Sequence, residues 1–261
     1  MKRALCFALL WAVGCDLPVE RAPGTGPVVL ETQPPTGAVD VDRAGPFRVT
    51  FDRPVFPRDV HRGRVRLQSG SQSAFLSPWF EPVERVLALD VIGAPLEPNV
   101  RYRLLVEQVR DLGLVPMADP LEVVFDTGPD AVGETPASVT YGDVAELLGR
   151  CSSDACHGGS DPSLGLDLSS GEGIRATAID VVAVGSRIGT QTDDPWHGAS
   201  TLDGLARIDV VGGVGRPAQS YLVYELLEEG GAGHAAALEE PPSREEILTL
   251  SRWIRAGAPT E

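Results

Sequence analysis

Lysine is all but missing from this chain: Lys2 is the one example, and arginine supplies the remaining permanent cations. Such a bias reflects a GC-rich coding sequence and carries no functional message. Long apolar runs are missing too. The run at residues 4–13 is far shorter than the roughly 20 residues that a membrane-spanning helix needs. No methionine follows Met117. Paired nucleophile and base, phosphate-binding glycine loop and metal-hydrolase spacing are all lacking, so bond-making catalysis is not expected. What is present suits a folded chain. A hydrophobic content of 43% over 261 residues excludes disorder and a polytopic membrane protein, and leaves room for one large or two ordinary domains.

Charge is unevenly placed. Residues 129–261 hold 8 arginines against 21 acidic residues, a balance of −13, whereas residues 16–128 hold 12 against 16, a balance of −4. The acidic half is a poor partner for nucleic acid or anionic lipid, and suits a basic protein partner better.

The start of the chain reads as a targeting segment: Lys2 and Arg3, then the short apolar run, then Ala12-Val13-Gly14-Cys15. Small residues before a cysteine resemble the lipobox of bacterial lipoproteins. That resemblance implies acylation of Cys15, loss of residues 1–14, and a soluble body held to the inner or outer membrane of a cell envelope by acyl chains. An ordinary signal peptide with Cys15 free is the alternative.

Residues 16–26 lack periodicity and read as a tether. From there the period is two in short pieces: Phe47, Val49 and Phe51; Val65 and Leu67; Leu87, Leu89 and Val91; Tyr102, Leu104 and Val106; Leu121, Val123 and Phe125. Turn signals at 34–37, 69–71 and 97–99 separate the pieces, which predicts an antiparallel sandwich over residues 27–128. Pro34-Pro35-Thr36-Gly37-Ala38, Val49-Thr50-Phe51-Asp52-Arg53-Pro54-Val55, Leu96-Glu97-Pro98-Asn99 and Phe125-Asp126-Thr127-Gly128 resemble the bacterial Ig-like domain of surface-layer and envelope proteins. In that family the domain is a spacer or binding module. His61 reads as an exposed loop residue. Arg62, Arg64 and Arg66 share one strand face, solvated or turned to the acidic second domain.

Residues 129–139 form a second linker, and helical periods follow it. Val144, Leu147 and Leu148 lie at i, i+3 and i+4 behind a Thr140/Asp143 cap, predicting a helix that runs into Cys151. Leu222, Val223, Leu226 and Leu227 mark another helix, stopped by Gly230-Gly231. Ser243 and Glu246 form a capping box for a last helix that carries Ile247, Leu250, Trp253 and Ile254 and ends at Gly257.

The chemistry sits in Cys151-Ser152-Ser153-Asp154-Ala155-Cys156-His157. With residues 1–14 removed and Cys15 acylated, two cysteines remain in an oxidising compartment. One reading is a small disulfide loop between Cys151 and Cys156 in a non-redox surface protein. A zinc site lacks a fourth nearby ligand. The other reading follows from the likeness of these residues to the haem-attachment site of c-type cytochromes, in a variant with four residues between the thiols in place of two. The resemblance extends over residues 140–259 through Cys156-His157-Gly158, Gly165-Leu166-Asp167-Leu168, Pro217-Ala218-Gln219-Ser220-Tyr221-Leu222 and Trp253-Ile254-Arg255-Ala256-Gly257-Ala258, which are similar to a group of envelope cytochrome c domains. It implies a mainly α-helical cytochrome c-like domain over 140–261, with haem c held covalently by Cys151 and Cys156 and its iron ligated by His157. Where the family places a ligating methionine, this chain has none. His234 is the best second ligand available, His197 is another, and an open sixth position is the third reading; Trp196 is a candidate to cover one haem face. The expectation is a multidomain, lipid-anchored electron-transfer protein: an all-β Ig-like sandwich followed by a cytochrome c-like domain.

Overall fold

Alternating apolar residues build the first half as expected. The computed structural model describes residues 24–154, 156–184, 202–228 and 238–261. Eight strands form two antiparallel sheets: β1 (Val29–Gln33), β2 (Phe47–Phe51), β3 (Val65–Ser69), β4 (Gln72–Ser73), β5 (Leu76–Glu81), β6 (Val86–Val91), β7 (Arg101–Val106) and β8 (Leu121–Asp126). One sheet runs β1-β2-β6-β5 and the other β4-β3-β7-β8. Register puts Phe47 opposite Leu89 and Val49 opposite Leu87, so each pair faces the same side. Across the sandwich the rings of Phe47 and Phe125 stack with centroids 5.6 Å apart. Two apolar faces thus close on each other, and the polar alternates are left outside.

The arginine stripe has its partners inside this domain. Arg64 pairs with Asp59 at 3.2 Å and Arg66 with Glu107 at 2.6 Å. The Arg62 guanidinium lies 3.8 Å from the centre of the Phe75 ring. Neighbouring strands and turns of the sandwich thus supply a partner to each of the three arginines.

Residues 129–139 are fastened back onto the sandwich. The carboxylate of Asp42 accepts hydrogen bonds from the backbone N–H of Val132 and of Gly133, each at 3.0 Å, and Arg48 pairs with Glu134.

The second half carries α1 (Tyr141–Cys151), α2 (Gly171–Thr177), α3 (Tyr221–Leu227) and α4 (Arg244–Arg255), with a two-stranded ribbon of β9 (Val210–Val211) and β10 (Val214–Gly215). The expected boxes cap α1 and α4: Asp143 accepts from the Thr140 backbone N–H at 2.7 Å, and Glu246 from that of Ser243 at 2.7 Å. Those two bonds satisfy donors that every helix start leaves over. Val144, Leu147 and Leu148 of α1 pack with Ile247, Leu250, Trp253 and Ile254 of α4 in one buried cluster. Gly215 lets β10 cross the end of α4, since a Cβ there would stand 1.6 Å from the Ile254 carbonyl oxygen.

The two halves share a buried boundary. Val83, in the turn between β5 and β6, belongs to the helical core, and Ala218 to the sandwich core. Around them Arg255 stacks on Trp79 at 4.5 Å and pairs with Asp90, Gln219 donates to the Pro57 carbonyl at 2.9 Å, and Arg58 to the Asp203 carbonyl at 2.7 Å.

Candidate functional site

The site is assembled where α1 ends. Cys151 is the last residue of that helix and is half-buried; Cys156 is exposed, and both are free thiols. Between them the chain makes a tight excursion and returns. Cys156 N–H donates to the Ser153 carbonyl at 2.9 Å, and His157 N–H to the Cys151 carbonyl at 3.0 Å. The two additional residues of the spacing are thereby taken up in a turn whose Ser153 and Asp154 face solvent. Gly158 is required by the return path: a Cβ there would lie 2.0 Å from the Ser152 carbonyl oxygen.

His157 is oriented by its own surroundings. Nδ1 stands 3.2 Å from the Ser163 carbonyl oxygen. A carbonyl only accepts, so this contact assigns the proton to Nδ1 and leaves a lone pair on Nε2, the form in which imidazole binds a metal. The next turn is tied down by Ser163 N–H to the Cys156 carbonyl at 2.7 Å and Leu168 N–H to the His157 carbonyl at 2.8 Å.

Cys151 and His157 open on one cavity of about 720 Å³ of empty space that is continuous with solvent. Leu166, Leu168, Ala178 and Leu226 give it apolar walls, and Arg207, Tyr221 and Glu225 are its main polar groups. Burial pushes the Cys151 thiol up, and the neighbouring Cys156 adds to the shift, so Cys151 stays protonated at neutral pH. The Tyr221 hydroxyl is pushed up as well, by burial first and then by its hydrogen bond to Glu225.

The structure brings Cys151, Cys156 and His157 together. Cys15, Trp196, His197 and His234 lie outside the described residues. His61 is exposed, and its Nδ1 accepts from the Gly63 N–H at 3.0 Å, which leaves it a loop residue. Among the described residues no group of three or more His, Cys, Asp and Glu side chains is placed to hold a metal ion. Sequence reasoning missed Arg207. Its one signal was a lone cation inside the apolar run Leu205-Ala206-Arg207-Ile208.

The fit to a porphyrin can be judged from these features. The walls are apolar, the Cys151 thiol and the His157 imidazole share the same opening, and a second thiol, Cys156, directly precedes His157 in the chain. That donor set suits a covalently held haem.

Comparison with known proteins defines the first half. Residues 23–127 match the family model of the bacterial Ig-like domain, so this part of the chain is an Ig-like sandwich. No curated protein matches the chain. Among solved structures, surface layer protein SbsC, domains 1–6, is 14% identical over 44% of this chain and 15% of that one, with a TM-score of 0.31. The N-terminal part of SbsC gives 14% identity, 44% and 25% coverage and the same TM-score of 0.31. CopC from Methylosinus trichosporium OB3b is 12% identical over 42% of this chain and 98% of its own length, with a TM-score of 0.27. This chain spans about one seventh of the six-domain surface-layer protein it matches. No described helix is long and apolar enough to cross a membrane.

Proposed function

We propose that residues 140–261 hold one covalent haem c and that the protein is an electron-transfer lipoprotein of the bacterial envelope. The observation that carries this reading is the shared cavity: Cys151 and His157 line the same apolar space, and a carbonyl orients the His157 ring for ligation through Nε2. Cys151 and Cys156 would hold the group as thioethers, each S–H adding across one vinyl C=C to give a C–S and a C–H bond with no net change of oxidation state. When bound, the group supplies a one-electron iron couple. The residues of the chain do the rest. His157 ligates, Leu166 and Leu168 exclude water, and His234 is the proposed second ligand. A second histidine lowers the potential relative to a thioether, and a lower potential suits a donor.

Envelope placement is supported by the targeting segment and by the bacterial Ig-like family of residues 23–127. Cys15 would carry the acyl anchor, and the acidic second half would receive a basic redox protein. The protein would pass electrons and catalyse no bond chemistry.

Production in a host that attaches haem tests the reading. The expected product is red, absorbs in the Soret region, and has the polypeptide mass increased by one haem. Colourless material of bare mass, with Cys151 and Cys156 oxidised to each other, would replace it with the non-redox surface protein.

A further inference from the structure

Arg207 is the feature of the cavity that this reading leaves unused. It lines the cavity and is only 7% exposed. Its Nη1 donates to the carbonyls of Gly165 and Thr177 at 2.9 and 2.6 Å, and Nη2 to that of Leu164 at 2.5 Å. A guanidinium has five N–H donors, so these bonds leave two unspent. The carbonyls are neutral and offer no counter-charge.

The other buried arginine among the described residues is neutralised. Arg53, equally buried at 7%, pairs with Asp52 at 2.7 Å. Among the described residues no carboxylate pairs with Arg207, and desolvation is the influence that acts on its ionisation, pulling it down. Glu225 lines the same cavity, yet Tyr221 hydrogen-bonds it. A cation held in an apolar wall without an anion is costly, and the cost is relieved when a ligand brings the missing charge.

We propose that Arg207 anchors a carboxylate carried by whatever fills the cavity, so that the ligand class is an apolar body with an acidic end. The inference rests on the reading of this cavity as a prosthetic-group site, and it adds the ligand's polarity and direction: acidic end at Arg207, apolar body along Leu166 and Leu168. A porphyrin with carboxylate arms meets the description, and so does a free long-chain fatty acid.

The test uses the full chain produced without attached haem, titrated with iron(III) protoporphyrin and with its dimethyl ester, and separately with dodecanoate and methyl dodecanoate. A charge-assisted hydrogen bond sets the expected preference for acid over ester at about 10- to 100-fold. Arg207→Gln should erase that preference and leave the ester affinity unchanged, while Arg207→Lys should keep part of it. General damage to the cavity would weaken acid and ester alike, so the ratio separates recognition from misfolding. Where Arg207→Gln fails to fold, the acid-to-ester ratio of the unaltered chain and of Arg207→Lys still decides. Equal binding of acid and ester, an unchanged ratio in Arg207→Gln, or no binding of any probe overturns the inference. Preference for dodecanoate over its ester with no porphyrin binding upholds it and discards the haem reading alone. Equal binding of the two porphyrins discards the carboxylate anchor and leaves haem in place.

Discussion

Ser251 of α4 donates its hydroxyl hydrogen to the carboxylate of Glu81, the last residue of β5, at 2.5 Å, with Glu81 3% exposed and Ser251 fully buried. The other carboxylate oxygen accepts from the Val83 backbone N–H at 2.9 Å. This bond joins the two halves where water is excluded. Burial raises the Glu81 carboxyl from 4.5 to about 7; nearby Glu84 adds to the rise, and Ser251, Val83 and Arg252 oppose it.

A pH dependence follows from that pair. The unfolded carboxyl ionises near 4.5 and the folded one near 7, so between those values the folded chain holds the additional proton. Stability therefore falls as pH rises through this window, and the full loss above about 7 is of the order of 3 kcal/mol. Urea midpoints at about pH 5 and pH 8.5 should differ in that sense, and Glu81→Gln should flatten the difference. An unchanged slope in Glu81→Gln would show that other groups are responsible.

The proposed haem attachment is separable by residue. Cys151→Ala or Cys156→Ala should leave one thioether, and the pyridine spectrum should move to longer wavelength because one vinyl group stays conjugated. The double variant should yield no covalent haem; covalent haem in it would place attachment elsewhere. His234→Ala should alter the reduced spectrum if that residue ligates, and an identical spectrum removes His234 without touching Cys151, Cys156 or His157.

Two glycines make opposite predictions. A Cβ on Gly149 in α1 meets nothing within 4 Å, so Gly149→Ala should stabilise by about 0.5–1 kcal/mol through helix propensity. Gly158→Ala sets a Cβ against the Ser152 carbonyl oxygen and must open the turn between Cys151 and His157. Haem loading should drop in Gly158→Ala and hold in Gly149→Ala, read from the ratio of Soret to protein absorbance.

Val83 tests the shared boundary. Deleting its two methyl groups should cost about 1.5–3 kcal/mol, since the side chain is 1% exposed. The residue lies in the sandwich, yet its loss should speed amide exchange in α4. Exchange that quickens in β5 and β6 alone would mean that the helical core does not depend on it.

Much of this was legible in the sequence because it is local. Period-two runs placed β2, β3, β6, β7 and β8, and the Thr140/Asp143 and Ser243/Glu246 pairs fixed the starts of α1 and α4. β1 went unseen because it is an edge strand with little buried face, and β5 because Pro78 breaks its alternation. The Cys151 to His157 cluster was visible as spacing. Arg207 was not, because its carbonyl partners lie 30 to 43 residues away and no short-range pattern records them. The partners of the arginine stripe were not legible either: charge balance between halves says nothing about the nearby Asp59 and Glu107.

Each half of this chain keeps a side chain in the interior of the other, Val83 in one direction and Ala218 in the reverse. Exchange of either half for a homologous module would leave a hole on one side and a stranded apolar residue on the other. A recombinant swap would need both plugs carried along with the segment they fill.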